Sequence, residues 1–297
     1  MSAVLSAALF GSISTIAKPT LPATINPVLL SSLVYLVAAM VMTPIAIKSN
    51  KSNTNIANIQ SVIEWKDYLY VLVIAILGAV IAPILYFIGL ERTSASHASV
   101  LLTGEILFTV IIALLFFDEH IKPIGYVGII LVLFAVFIIA IDCNSQIGNH
   151  IFRINYGDLL IITATLFWAT DNNISKIVSH KLSPAKIVQL KSIIGGSLLM
   201  AIAIGLGIKI NINLAQIPNI ILLGAGGFAA SIFFFLHSLK RIGTIKTILI
   251  FSTSSVFGVV FSVAFLHERL QMTLLYTIPI MLGGIYLISR KNSVVVN

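Results

Sequence analysis

Cysteine is almost missing from this chain. Cys143 stands alone among 297 residues, so no internal disulfide can staple the fold and no thiolate cluster can hold a metal. Charge is nearly as scarce: 9% of residues are Asp, Glu, Lys or Arg, where a water-soluble fold carries roughly 25%. No phosphate-cradling loop is found, so ATP-driven pumping would need a partner chain. No ring of charge or filter-like loop speaks for a channel. In their place stand apolar residues, 58% of the chain, with a mean hydropathy of +1.06. A surface of that kind needs a bilayer to solvate it, and membrane lipids are its first partners.

The apolar runs are continuous in Ile, Leu, Val and Phe, the opposite of the short alternating segments of a membrane β-barrel. Runs long enough to span a bilayer, about 17 to 25 residues, are read at 2–17, 27–47, 68–90, 94–117, 122–141, 157–177, 184–207, 217–239, 243–266 and 271–289. The first begins at Met1 with no basic segment before it and is read as a helix rather than a signal peptide. An all-α membrane protein of ten transmembrane helices is expected. Pro83, deep in the third run, would free a carbonyl one turn earlier and kink the helix. Trp65, Tyr68 and Tyr70 suit a membrane interface.

The formal net charge of +8 reports orientation rather than nucleic-acid binding. With the N-terminus inside, inner connections and the C-terminal tail hold twelve Lys and Arg (Lys48, Lys51, Lys66, Lys122, Lys176, Lys181, Lys186, Lys240, Arg241, Lys246, Arg290, Lys291) and outer ones hold five (Lys18, Arg92, Arg153, Lys209, Arg269). Lys191, seven residues into its run, is left aside as able to snorkel. The bias puts both termini in the cytoplasm of a multi-pass cell-membrane protein.

The chain also repeats itself. Leu90, Arg92 and Glu119 recur 149 positions later as Leu239, Arg241 and Glu268, and Gly78 and Val110 as Gly227 and Val259. The halves are residues 1–141 and 157–297, joined by the connection 142–156. Each holds five runs, so the second copy must enter the membrane inverted. Working sites in such proteins lie between the copies, near the midplane.

A few polar residues lie where a membrane should exclude them. Glu105 sits mid-span, where an ionised carboxylate costs on the order of 2.5–3.5 kcal/mol, so it must face protein or water. His97, Leu101, Glu105 and Thr109 share a helical stripe. Asp171, beside Asn172, lies on a second stripe with Thr163, Phe167 and Ser175, shallower and about a turn from water. In the ninth run Ser252 to Ser255 match the positions around Glu105. Their hydroxyls would bond back to their own helix or, across the pseudo-two-fold axis, let Ser254 reach a substrate. Tyr86, Trp168 and Phe10 would supply aromatic walls or plain packing.

Each copy closes on an apolar run ending in glutamate, Phe116-Phe117-Asp118-Glu119-His120 and Phe265-Leu266-His267-Glu268-Arg269. On these features the chain resembles the EamA family of the drug/metabolite transporter superfamily over roughly residues 3–141 and 156–289. Glu105 looks like the glutamate that members carry in the fourth helix, although Ile106 follows it where proline is usual. The resemblance implies two inverted five-helix repeats around a central cavity and a secondary carrier, often an exporter, of amino acids or other small metabolites. It implies structural roles at helix ends for Glu119 and Glu268. Glu105 would pair with a cationic group of the small-molecule substrate or carry a coupling proton, with Asp171, Asn172, Ser254, Thr109, Tyr86, Trp168 and Phe10 around it. No cofactor or metal is expected. An intramembrane enzyme is the poorer reading: His267-Glu268-Arg269-Leu270-Gln271 lacks the second histidine of a zinc protease, and Asp171 has no partner aspartate in a span. A channel or lipid-handling protein on the same scaffold is the remaining alternative.

Overall fold

In a bilayer every backbone polar group must find its partner within the protein, which restricts the chain to helices and closed barrels. The computed structural model describes residues 1–21, 25–54, 64–116, 120–121, 123–142, 153–179, 181–210, 212–242, 247, 250–289 and 294–295. Glu119, Cys143 and most of the 142–156 connection lie outside them, as do Lys122, Lys246, Arg290 and Lys291.

The described chain is nearly all helical. In order run α1 (Ser2–Ala17), α2 (Pro27–Thr54), α3 (Trp65–Arg92), α4 (Ala95–Phe116), α5 (Pro123–Ala140), α6 (Tyr156–Val178), α7 (Pro184–Gly205), α8 (217–242), α9 (Ser254–Leu266) and α10 (Met272–Ser289). Extended structure among the described residues is confined to two antiparallel pairings of two residues, His120–Ile121 with Val294–Val295 and Ile141–Asp142 with Arg153–Ile154. Among the described residues five helices are long and apolar enough to cross a membrane: Pro27–Ser49, Trp65–Arg92, Ala95–Phe116, Pro184–Gly205 and Leu214–Leu239. Shorter apolar helices accompany them at Pro123–Ile139, Ser254–Leu266 and Met272–Ile288. The 23-residue α6 is long enough, but Asp158 and the run Asp171 to Asn173 dilute its hydropathy.

Helix ends follow local chemistry. Ser94, Asn155 and Ser183 cap α4, α6 and α7 with side-chain oxygens that accept backbone N–H groups. Glu64 and Asp67 form a reciprocal capping box, which starts α3 at Trp65, three residues before its apolar run. The polar residues after Ile47 let α2 continue to Thr54. The fourth run is not one continuous α-helix. It breaks at Leu102 and Thr103, where N–H to C=O bonds three residues apart join Thr103 to Val100 and Glu105 to Leu102 and tighten the turn. The ninth breaks in the same way at Ser252 and Thr253, with Thr253 N–H on Ile250 O.

The helices pack in a regular set of pairs: α2 with α7, α5 with α10, α3 with α6, α8 with α1, α4 with α6, and α9 with α1. Adding or subtracting five from each helix number returns the same set. Close crossings use small residues. A side chain at Gly128 or Gly284 would strike the other's carbonyl oxygen, so α5 and α10 touch backbone to backbone. Ser32 reaches from α2 to Gly196 O of α7 at 2.9 Å.

One end of the bundle is tied together by charge. After α9 the backbone turns through His267 at φ 52°. The Glu268 carboxylate then accepts the N–H groups of Ala95 (2.8 Å) and Ser96 (2.9 Å) at the start of α4. A negative group at a helix N-terminus satisfies orphan donors and meets the positive end of the helix dipole. Lys18 is not free to snorkel: its Nζ donates to Leu90 O at 2.6 Å and Thr93 O at 2.5 Å, closing the end of α3. At the opposite end Lys181 binds Asp67 Oδ2 at 2.9 Å, and that hydrogen bond holds the Lys181 ammonium above the ordinary lysine value. If Glu268 is a cap, Glu268→Ala lowers stability by about 1–2 kcal/mol, read as an earlier thermal unfolding midpoint in detergent. An unchanged midpoint would show that the cap carries no stability.

Candidate functional site

Proline has no N–H to give, and Pro83 therefore orphans a carbonyl upstream. The helix widens into a π-type segment at Leu77–Ile81, and Ala82 N–H reaches back to Leu77 O. In that register the oxygen facing Pro83 is Gly78 O, one residue earlier than an α-helix would give. Two side chains satisfy it: Tyr35 OH of α2 at 2.7 Å and Trp168 Nε1 of α6 at 2.9 Å. The kink expected from Pro83 thus becomes a hydrogen-bonded junction of three helices. In α8 the equivalent residue, Gly227, also lies in a π-type segment, Leu222–Ala230.

Gly78 makes room as well. Any side chain there would fall on the carboxylate of Asp171, so the glycine lets that group lie against the α3 backbone. Asp171 is 1% and Lys191 2% exposed. Lys191 Nζ meets Asp171 Oδ2 at 2.6 Å, and Ser175 Oγ donates to Oδ1 at 2.9 Å. Burying two charges is costly unless they pair; here they do, and Ser175 satisfies the second oxygen of Asp171. Asp171 is thus closed off from solvent, and α6 continues seven residues past it, to Val178. Lys191 does not snorkel either; its ammonium is spent on Asp171.

Glu105 lies next door. It is 6% exposed, and Asn172 Nδ2 donates to its Oε1 at 2.5 Å. Its second oxygen, Oε2, is buried and, among the described residues, has no hydrogen-bond partner. Asp171 and Asn172, adjacent on α6, divide the work: one neutralises Lys191 of α7, the other reaches Glu105 of α4. Glu105 is thus tied to α6 through the residue next to Asp171.

The aromatic residues named from sequence also converge. Trp168 lies 5.4 Å from Tyr86 and 6.3 Å from Phe10, centroid to centroid, and Tyr86 OH meets Ser14 Oγ of α1 at 2.9 Å. Phe228 and Phe251 extend the layer, 6.3 Å from Trp168 and 4.9 Å from Phe10.

Other expectations change. Thr109 Oγ1 donates to the backbone oxygen of Glu105 at 2.6 Å, which occupies its hydroxyl within the helix. The break at Leu102 and Thr103 interrupts the stripe above Glu105, and His97 Nε2 instead meets Gln271 Oε1 at 2.8 Å. Thr163 is exposed rather than interior. Ser254 sits where α9 crosses α1 at Gly11, and no hydrogen bond joins it to the acidic group. Its neighbours follow the self-bonding expectation: Thr253 Oγ1 donates to Ile250 O at 2.6 Å and Ser255 Oγ to Ser252 O at 3.0 Å. Beside Gly104 and Leu107 a groove of about 500 Å³ runs between α4, α5 and α6, walled by apolar residues such as Phe108, Ile130 and Phe134. Sequence reasoning missed Lys191, Tyr35, Phe228 and Phe251. A signal existed for Lys191, because it and Asp171 each stand ten residues from Lys181, in the turn between their helices.

The sequence profile described as the EamA-like transporter family matches residues 1–141 and 155–290. A protein of Methanothermobacter thermautotrophicus named as an uncharacterized transporter is 27% identical over 96% of this chain and 84% of its own. A second, from Synechocystis sp., is 24% identical over 77% of this chain and 73% of its own. One crystal structure superposes with a TM-score of 0.69 over 96% of this chain and 94% of that one at 16% identity, which speaks for the fold alone.

The double donation to Gly78 O makes a prediction. Tyr35→Phe and Trp168→Phe each leave one donor and cost about 0.5–1.5 kcal/mol, whereas the double substitution orphans a buried carbonyl and costs an extra 1–3 kcal/mol or so. A double-mutant cycle in thermal unfolding reads the difference; additive effects would mean that the carbonyl is satisfied elsewhere.

Proposed function

This chain belongs to the EamA-like transporter family, and we propose that it is a secondary carrier in which Glu105 receives the positive charge that drives or accompanies transport. That it is a multi-pass membrane transporter follows from the family and from relatives named as transporters, which also point away from an enzyme. The finer reading is a carrier of a small metabolite, amino-acid-like or another small organic solute, moved outward across the cell membrane with both termini in the cytoplasm.

Alternating access between two inverted five-helix halves, residues 1–141 and 157–297, is the mechanism proposed. Three features support the pairing of halves: the helix pairs that survive exchange of one half for the other, the π-type segments in α3 and α8, and the breaks in α4 and α9. Carriers of this build place substrate and coupling-ion sites at the repeat interface, often beside interrupted helices. The breaks adjoin Glu105 in one half and Ser254 in the other.

One observation carries the reading. Among the described residues, Glu105 keeps a buried carboxylate oxygen, Oε2, without a hydrogen-bond partner, and such an oxygen is expensive unless something cationic joins it. A proton does so, and so does an ammonium-type group of the substrate. Asn172 fixes the other oxygen and so orients the acceptor. In this reading the buried rings of Phe10, Tyr86 and Trp168 supply an aromatic wall for an organic solute.

A thermal-shift screen of purified protein against metabolites at two pH values finds the substrate, because a ligand of the folded form raises the unfolding midpoint. With that compound in proteoliposomes, Glu105→Gln is expected to abolish flux while leaving the protein folded. Undiminished flux in Glu105→Gln would remove the residue from the mechanism, and flux that neither saturates nor is competed would favour a pore.

A further inference from the structure

The buried charges of the site do not balance. Glu105 and Asp171 are carboxylates, Lys191 is the ammonium beside them, and among the described residues no fourth ionic group joins; Asp158, also buried on α6, stands thirteen residues before Asp171, in the first turn of that helix. The other helices packed against α4 are α1, α5, α9 and α10, and none contains Asp, Glu, Lys, Arg or His. Tyr126, Tyr276 and Tyr286 of α5 and α10 are exposed on the outer surface. Toward α3 and α2, the neighbours of Asp171 are Gly78, whose backbone it touches, and Tyr35, whose hydroxyl is spent on Gly78 O. Two acids therefore share one base.

The geometry decides which acid has it. Lys191 Nζ is 2.6 Å from Asp171 Oδ2, and Ser175 completes the coordination of the same carboxylate. Glu105 has only the neutral amide of Asn172. We infer that Lys191 is a positioning residue that reserves Asp171 as a permanent anion, so that the site exchanges one proton and exchanges it on Glu105. This rests on the carrier reading for its purpose but not for its test.

The arrangement has a simple logic. Protonating Asp171 would strand the ammonium of Lys191 in a dry interior. A proton added to Glu105 Oε2 forms one O–H bond, removes one negative charge and leaves the Asn172 bond to Oε1 in place. Removing Lys191 alone would leave Asp171 a buried carboxylate without its cation, and burial then favours its neutral form beside that of Glu105. Lys191 thus sets the number of protons as well as the pose of Asp171.

The test counts protonated carboxyl groups. Purified protein in lipid is titrated through the neutral pH range while infrared difference spectra follow the C=O stretch of buried carboxylic acids, with the proton as the only ligand added. Wild type is expected to show one such band, and Glu105→Gln to lose it. Lys191→Gln is expected to show two. Asp171→Asn combined with Lys191→Gln, which removes both members of the pair and strands no charge, is expected to return to one. A band that survives Glu105→Gln overturns the assignment to that residue. A single band in Lys191→Gln, or none in the double variant, overturns the role given to Lys191. Failure to find a transported metabolite would count against the carrier reading and leave these band counts untouched.

Discussion

A bare carbonyl in a dry interior must be answered, and much of this protein is arranged around the answer to one. Pro83 removes the N–H that Gly78 O would use. Tyr35 and Trp168 come in from two other helices to replace it. Because the residue with the orphaned oxygen is a glycine, the helix there has no side chain, and Asp171 settles into the gap. Lys191 then follows Asp171, and Asn172, one residue on, meets Glu105. A single missing hydrogen thus locates an aromatic layer, an ion pair and a carboxylate within the space of a few side chains.

Irregularity is distributed evenly between the halves, and that says more than the regular parts do. Straight helices of Ile, Leu and Val pack alike in many proteins. Here the departures also recur: a π-type segment in α3 and in α8, a break in α4 and in α9. The polar chemistry does not recur. The break in α4 leads to Glu105, while that in α9 leads to Ser254 and Ser255, whose surroundings bring no buried charge. The irregular backbone recurs and the buried acids do not.

How far the sequence disclosed this depends on the kind of signal. Helix positions were plain because long apolar runs admit few other structures in a bilayer, and the ends that moved did so for local reasons, such as the capping box of Glu64 and Asp67. Glu105, Asp171 and Asn172 were visible as polar residues in apolar surroundings. Trp168 and Tyr86 were named as aromatic walls, but that each would turn its polar atom to a particular partner was not legible, since Gly78 O becomes available only once the helix widens. Lys191 was misjudged because a long side chain near a helix end ordinarily escapes to water; its fate depended on an acid twenty residues away and on Gly78, against which that acid lies. The stripe through His97, Glu105 and Thr109 failed where Leu102 and Thr103 change the winding, which periodicity alone does not register.

The bond from Glu268 to the start of α4 has a consequence for how the molecule comes into being. The donors at Ala95 and the acceptor at Glu268 are 173 residues apart in sequence, so during synthesis α4 emerges long before the carboxylate that closes its end. At cellular elongation rates that interval is roughly ten to thirty seconds. Through that time the N–H groups of Ala95 and Ser96 must be answered by something other than Glu268. Assembly of this protein is therefore a closing operation, in which the trailing half supplies the latch.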